Sequence, residues 1–153
     1  MRLRSSQFTG AITLSFVLLF CGSIGDAQNA NDAAVQQDLK AMAGTWKEHS
    51  RIRDGQSLPS SELGAFRQGV DGGVTLLGPK APPGLAYSVK LDPTTNPKHI
   101  DAAAPTGTRL GIYELTANSL RICLARPGQP RPTMFASPKG ADLVLSVYSR
   151  ETR

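Results

Sequence analysis

Residues 91–137 read LDPTTNPKHIDAAAPTGTRLGIYELTANSLRICLARPGQPRPTMFAS, and this stretch carries the strongest indication of the fold. Apolar side chains at Leu120, Ile122 and Leu124 alternate with other residues, and a period of two is typical of a half-buried β-strand. Residues 108–115 alternate less regularly, and the Thr-Ala-Asn-Ser sequence that follows them is suited to a tight turn. Because no helix-sized insert separates the two strands, the stretch predicts an antiparallel hairpin within a meander.

Prolines frame this hairpin on both sides, at Pro93, Pro97, Pro127, Pro130 and Pro132. Proline lacks the N–H group that a central strand needs, so these positions indicate turns and strand starts. The chain has 15 glycines and 11 prolines among its 153 residues, and this content favours an all-β meander with many turns over a helix bundle.

Further β-type segments lie on both sides of the hairpin. They are residues 45–53, 74–77, 87–91, 98–102 as a short edge strand, and 143–150 as the closing strand. Residues 59–66 are predicted to form a short helical turn. The sequence therefore predicts an all-β fold, a small up-and-down β-barrel of about eight antiparallel strands with a short N-terminal helix. A closed barrel of about that size has room for packed side chains or for one small ligand.

The motifs LDPTTNPKHID, LGIYEL, SLRICLA and RPTMFAS follow one another within residues 91–137, and AGTWK at residues 43–47 and Asp54-Gly55 precede them. In this combination the chain resembles the planctomycete lipocalin-like domain family of unknown function, over residues 39–150. The resemblance implies a small lipocalin-like β-barrel that is exported from the cytoplasm. It implies no reaction, because the family has no established activity.

A structural plug is also implied by resemblance, because Gly44-Thr45-Trp46 is similar to the Gly-x-Trp at the start of the lipocalin barrel. In that fold the Trp plugs the closed end of the barrel, and an Arg from the last strand commonly lies over it. Gly44, Trp46 and Arg150 are therefore the expected plug, with Arg131 as the second candidate for the arginine. A guanidinium over an indole contributes about 0.5–2 kcal/mol.

The first 27 residues are typical of a secretory signal, since a positively charged start and an apolar core at residues 11–20 precede small residues. The apolar core is shorter than the roughly 20 residues that a membrane span requires. Cleavage is expected between Ala27 and Gln28, which gives a periplasmic or secreted protein without stable membrane insertion. N-terminal sequencing of the exported protein tests this expectation.

Cys21 supports an alternative, a lipoprotein anchored through that residue. Phe20 argues against it, because the lipoprotein signal requires a small residue at that position. The predicted organisation after the signal is a linker and short helix over residues 28–43, followed by one barrel domain over residues 44–153. Gly44 is placed to end the helix.

No reaction, cofactor or metal is indicated by the residues. His49 and His99 are the only histidines, and several predicted strands separate them, whereas a zinc site needs clustered ligands. The sequence has neither a Gly-x-Ser-x-Gly nucleophile elbow nor a dinucleotide-binding glycine pattern. Cys123 would be the one cysteine left after cleavage, and a lone strand cysteine is usually a small core hydrophobe. We therefore expect a protein that is not an enzyme.

The net charge of +5 is mild and spread along the chain. It is compatible with an ordinary solvated surface or with attraction to anionic envelope polymers. A nucleic-acid partner is not expected, given the export signal and the lack of a basic helix or of an aromatic–basic motif.

The expected inward face provides the candidate ligand site. The residues predicted to line it are Tyr87, Val89, Leu91, Leu120, Ile122 and Leu124, with Leu143, Leu145 and Val147 from the closing strand. Residues 78–84 are predicted to form the rim of the barrel mouth. Arg131 and His99 are candidate polar contacts. Arg131 lies between prolines that stiffen it, so it either presents its fork to a carboxylate or phosphate or pairs with Asp101, Glu114 or Asp142.

Two functions remain open from the sequence. The first is a non-enzymatic barrel that binds a small apolar or amphiphilic ligand or another envelope component. The second is a cell-envelope protein-interaction or inhibitor domain with a packed barrel, whose proline-rich loops contact the partner. The two differ in one feature, whether the barrel interior is a cavity or is filled by side chains.

Overall fold

The computed structural model describes residues 24–77 and 86–151. These residues form one helix, α1 (Ile24–Met42), one 3-10 turn (Ser60–Glu62) and a set of β-strands. The strands are β1 (Gly44–Arg53), β2 (Gln56–Ser57), β3 (Ala65–Gln68), β4 (Gly73–Leu77), β5 (Ala86–Asp92), β6 (Lys98–Ala104), β7 (Gly107–Leu115), β8 (Ser119–Ala125) and β9 (Leu143–Arg150). The predicted rim at residues 78–84, the apolar core of the signal and Cys21 lie outside the described residues.

Eight of the strands close into an antiparallel barrel, because β1 pairs with β3 on one side and with β9 on the other. From β3 to β9 each strand pairs with the next along the chain, which is up-and-down topology. The short β2 is an extra strand that pairs with the end of β1. The predicted all-β barrel with an N-terminal helix is confirmed.

Some predicted boundaries were wrong. Residues 59–66 form a helical turn only at Ser60–Glu62, and Ala65–Gln68 is a barrel strand that the sequence analysis missed. A four-residue strand is too short to show a period of two clearly. The strand starting at Lys98 is not an edge strand, since β6 pairs with β5 on one side and β7 on the other.

Helix α1 begins at Ile24 and includes the predicted cleavage position at Ala27–Gln28.

The pairing register shows which side chains share the inward face. Leu120 lies opposite Tyr148, Ile122 opposite Ser146, and Leu124 opposite Val144. Directly opposed residues of neighbouring strands project to the same side of the sheet. The inward residues of β9 are therefore Val144, Ser146 and Tyr148.

The prediction that Leu143, Leu145 and Val147 face the interior is wrong, because they have the opposite parity on β9. Leu143, Val144, Leu145 and Val147 are all apolar, so the local pattern fits both faces of this strand. A shift of one residue exchanges the two faces, and only the pairing with β8 selects between them.

Apolar residues on the outer face are covered by residues 126–142, which we call the outer strap. The Sγ of Cys123 lies 3.4 Å from the carbonyl oxygen of Ala136, and Ser137 Oγ donates to the carbonyl of Leu143 at 2.7 Å. Cys123 and Ile112 oppose each other across β8 and β7, and both are completely buried. The expected burial of Cys123 is thus observed, but under the strap rather than inside the barrel, and burial raises the pKa of its thiol.

Helix α1 packs over one end of the barrel, which we call the closed end. Leu39 and Met42 from the helix join a buried cluster with Trp46, Tyr113 and Leu120. A polar group fixes the helix in place as well. The carboxylate of Asp38 accepts a hydrogen bond from Tyr113 Oη at 2.6 Å and pairs with Lys98 Nζ at 2.7 Å.

Candidate functional site

The closed end brings together the glycine, the tryptophan and the arginine that the sequence analysis grouped as a plug. Trp46 is fully buried, and its indole N–H donates to the carbonyl of Met42 at 2.8 Å. The guanidinium carbon of Arg150 lies 4.3 Å from the centroid of the Trp46 ring. Gly44 has φ +127, and a Cβ there would stand 2.9 Å from Arg150 Nη1, so this position requires glycine.

Arg150 satisfies its donors on backbone carbonyls at the same end. Its Nη1 donates to Ala43 O at 2.8 Å and its Nε to Ala117 O at 2.8 Å, and Nη2 donates to Ala41 O. The side chain therefore links the end of α1, the start of β1 and the β7–β8 turn. The indole beneath it is completely buried, and Trp46 lines neither of the cavities described below.

Arg131, the second candidate, lies in the outer strap. Its Nη2 pairs with Asp101 Oδ1 at 2.6 Å, and its Nη1 donates to the carbonyls of Gly111 at 2.6 Å and Ile100 at 3.1 Å. Those contacts fasten the strap to β6 and β7. His99 is on the outward face of β6, opposite Asp92 and Ile112 in the register. Neither Arg131 nor His99 lines the barrel interior.

A cavity of about 280 Å³ occupies the barrel interior away from α1. Its apolar wall is formed by Phe66, Val74, Leu76, Val89, Ile100, Ala102, Ile122, Leu124 and Val144. Four of the six predicted lining residues, namely Tyr87, Val89, Ile122 and Leu124, do line it. Leu91 and Leu120 do not, because they are buried at 4% and 0% exposure in the core beneath α1.

The opposite end of the barrel from α1, which we call the open end, carries the charged part of the wall. Arg53 at the end of β1 lines the cavity and is exposed to solvent, so the cavity reaches the surface there. Arg51, Arg109 and Tyr87 complete this rim. Tyr148 also lines the cavity but lies nearer the closed end, opposite Leu120 in the register and edge-to-face with Phe66 at 5.0 Å between ring centroids. The three arginines were not predicted from the sequence, since an inward arginine is recognisable only once the register is known.

Arg51 is neutralised by a buried carboxylate. Its Nε lies 2.8 Å from Glu48 Oε1 and its Nη2 2.5 Å from Oε2, a bidentate pair. The side chain of Glu48 is completely buried, and it also accepts the backbone N–H of Gly64 at 3.0 Å. Burial lowers the pKa of Arg51, but the hydrogen bond and the charge of Glu48 outweigh it and raise the pKa. This pair therefore adds no net charge to the cavity.

Arg109 has a different environment. Its Nε donates to the carbonyl of Ala125 at 3.0 Å, which holds the start of β7 against the end of β8. Burial lowers the pKa of Arg109, and the charged or ionisable groups that act on it are Tyr87, Tyr148, Arg53 and Arg51. Within residues 24–77 and 86–151, no carboxylate forms an ion pair with Arg109.

A second cavity, of about 450 Å³, adjoins the first at the side of the barrel. It lies where β1 and β3 separate, because their pairing ends at Lys47 and Ala65. The 3-10 turn, which precedes β3 in the chain, lines this opening. The side chains of Arg51, Phe66, Leu76 and Tyr148 line both cavities. The Glu48–Arg51 pair thus stands in the wall between the interior and the side of the barrel.

The part of the chain that the structure describes offers no group of three or more His, Cys, Asp or Glu side chains placed to hold a metal. His49 lies at an irregularity of β1, where its Nε2 is 2.6 Å from Ser149 Oγ. In the same described ranges, no helix combines the length and the apolar character that crossing a membrane requires.

The fold and the site together define a class: a small up-and-down β-barrel, sealed by a helix at one end, with an interior cavity whose other end carries arginines. Comparisons of the chain with protein-family models, with curated proteins and with solved structures find no match.

Proposed function

We propose that this protein is a non-enzymatic binding barrel that holds one small apolar or amphiphilic ligand in its interior. The observation that carries the proposal is the 280 Å³ cavity between the inward faces of the strands. Ligand sites are typically mostly apolar concavities of about 300–1,000 Å³ with a few polar groups, so this cavity suits a ligand at the small end of that range.

The composition of the cavity wall supports binding rather than catalysis. The described residues that line it include no His, Cys, Asp or Glu. Glu48, the carboxylate that pairs with Arg51 of this wall, also accepts the backbone N–H of Gly64. General acid–base catalysis is most efficient with a group whose pKa lies near the operating pH. The titratable groups of this wall are arginines and tyrosines, and the pKa of Tyr148 is raised to about 12, far above neutral pH.

The proposal includes export to the periplasm or the outside of the cell and membership of the planctomycete lipocalin-like family, as the sequence suggests. The alternative, an interaction or inhibitor domain with a packed barrel, predicts an interior without space. The cavity therefore favours the binding barrel over that alternative.

Dye binding tests the proposal. An environment-sensitive apolar dye is titrated into the wild-type protein, into Ile122→Trp, which fills the middle of the cavity, and into Thr75→Trp. Thr75 is an exposed residue of β4, so this control adds the same ring system outside the barrel. We expect the wild type and Thr75→Trp to bind the dye equally and Ile122→Trp to lose binding while keeping its circular dichroism spectrum.

A wild type that takes up no dye, together with an Ile122→Trp variant that unfolds, would show that the interior is already packed. Overfilling a dense core costs about 1–3 kcal/mol through strain. That result would favour the interaction domain.

A further inference from the structure

We infer that the ligand is an amphiphile with an anionic headgroup, which Arg109 receives at the open end of the cavity with Arg53 beside it. The inference rests on the proposed binding function and specifies its ligand class. It is carried by one asymmetry among the cavity arginines: Arg51 has a carboxylate partner, whereas Arg109 and Arg53 have none in the described residues.

The position of Arg109 is the first argument. Its residue lies on the inward face of β7, it lines the cavity, and one backbone carbonyl accepts from its Nε. The terminal nitrogens of the guanidinium, which form the fork that matches a carboxylate or phosphate, have no acceptor among the described residues. Partial burial of a cation without a counterion is costly, so a site of this kind gains by receiving an anion.

The charge of the whole rim is the second argument. With Arg51 neutralised by Glu48, the described lining retains the positive charges of Arg53 and Arg109 and no negative one. Clefts lined by charge of one sign concentrate ligands of the opposite sign. Arg53 is exposed and Arg109 half-buried, so the pair forms a path from the surface into the cavity.

The two tyrosines that line the cavity give the site neutral donors. Tyr87 lies toward the open end, and Tyr148 lies deeper, edge-to-face with Phe66. Burial, followed by the charge of Glu48, raises the pKa of Tyr148 to about 12, so its hydroxyl keeps its proton at neutral pH. The guanidinium of Arg109 and the tyrosine hydroxyls are hydrogen-bond donors. A ligand headgroup bound among them should therefore be an acceptor-rich anion rather than an alcohol or an amine.

The remaining wall determines the direction of the ligand. From the rim inward the lining is mostly apolar, through Val89, Ile100, Ile122 and Leu124 toward the buried cluster under α1. Its polar exceptions, Gln68, Ser146 and Tyr148, are uncharged. The headgroup is thus expected at the open end and a short hydrocarbon tail along the barrel axis. The headgroup chemistry, a carboxylate or a phosphate monoester, has two sources, a fatty acid or a phosphorylated lipid.

The test uses two fluorescent probes with the same ring system, anilinonaphthalene sulfonate and the uncharged phenylnaphthylamine. Each is titrated into the purified protein at low and at moderate salt. We expect the sulfonate to bind about 10–100-fold more tightly, the factor that corresponds to one charge-assisted hydrogen bond. Its affinity should fall as salt increases, while that of the neutral probe should not.

Displacement then identifies the source of the anion. Octanoate and octyl phosphate are both expected to displace the sulfonate probe better than octanol, and octylamine should displace it least. The tighter of the two anions distinguishes a fatty acid from a phosphorylated lipid.

Variants assign the effect to the rim. Arg109→Met removes the charge and keeps an apolar side chain of similar length, and we expect about tenfold or greater loss of sulfonate binding with little change for the neutral probe. Arg109→Lys should recover part of the loss. Arg67→Met is the matched control, because Arg67 is exposed on the outward face of β3 and its loss changes the net charge equally. It should change affinity less than about twofold.

The outcomes separate the two proposals. Equal, salt-independent affinity for both probes in the wild type would overturn the anionic headgroup and leave the binding barrel intact. Equal losses in Arg109→Met and Arg67→Met would also overturn it, since the effect would then come from net charge alone. Failure of both probes to bind overturns the binding function itself. If Arg109→Met does not fold, the anionic headgroup is still tested in two ways. The wild type gives the ratio of the two probe affinities and its salt dependence, and Arg53→Met at the exposed rim gives the effect of removing a charge.

Discussion

The two ends of this barrel use the same side chain in opposite ways. At the closed end, the guanidinium of Arg150 covers the indole of Trp46 and donates to the carbonyls of Ala43 and Ala117, and also to a third carbonyl. At the open end, the guanidinium of Arg109 has one carbonyl acceptor and no carboxylate among the described residues. An arginine whose three nitrogens each donate to its own chain stabilises the fold, and one whose terminal nitrogens lack an acceptor beside a cavity can recognise a ligand.

The closed end should therefore respond to substitution with a loss of stability, and the open end with a loss of binding. The difference follows from packing. Trp46 and Met42 are completely buried in a continuous cluster, whereas the open end encloses an unfilled volume of about 280 Å³. Groups that line a cavity have fewer packing partners, so their removal costs less.

The largest expected effect is that of Trp46→Ala, which should lower the free energy of unfolding by about 3–5 kcal/mol, the usual range for emptying an aromatic core site. Chemical denaturation followed by far-UV circular dichroism measures it. Tyr87→Ala is the counterpart at the open end, where the ring is half-buried, and should cost about 1 kcal/mol. Equal costs at the two positions would contradict the distinction between the ends. Trp46 should also emit as a buried indole in the folded protein.

A second, smaller effect concerns alkaline pH and compares a tyrosine of the cavity wall, Tyr148, with Tyr113 of the closed-end cluster. Burial, and next the charge of Glu48, raises the pKa of Tyr148 to about 12, against about 10 in an unfolded chain. Burial and the hydrogen bond to Asp38 also raise the pKa of Tyr113 at the closed end. A raised folded-state pKa means that the unfolded chain loses its proton first, so stability is retained below pH 10 and lost above it.

For Tyr148 the loss should reach about 2–3 kcal/mol between pH 10 and pH 12. Urea denaturation at a series of alkaline pH values measures it. Tyr148→Phe and Tyr113→Phe should each lose less stability than the wild type over this interval, and the double variant less again. Parallel pH profiles for the wild type and the double variant would show that neither hydroxyl is shielded from water.

The smallest of the three effects compares the two arginines directly. Arg150→Met should cost about 2 kcal/mol, because it removes charge-assisted hydrogen bonds to backbone carbonyls and the contact with the indole. Arg109→Met should cost less than about 1 kcal/mol, since one carbonyl contact is lost and a partly buried cation is removed. Denaturant midpoints of both variants give the comparison. A reversed order would assign the structural role to the open end.

Much of the strand content could be predicted, since the alternation in residues 120–124 and the prolines that frame the hairpin are local signals. The closing strand was placed correctly at Leu143–Arg150, and Arg150, proposed by resemblance, lies over Trp46. β3 was missed because four residues carry too little pattern. Of the candidate site, the apolar residues of β5 and β8 were found and the arginines were not.

The sequence by itself determined the period-two strands, the turns between them and the end of the helix before Gly44, because these depend on the backbone and side-chain chemistry of neighbouring residues. Tertiary structure alone decided which face of β9 lies inside, where the outer strap covers Cys123, and that Arg109 lacks the carboxylate that Arg51 has. These features depend on residues far apart in the chain, such as Arg109 and Tyr148, which meet only when the strands pair in register and the barrel closes. Local pattern carries no information on register around a closed barrel, so the cavity and its charge arise only with closure.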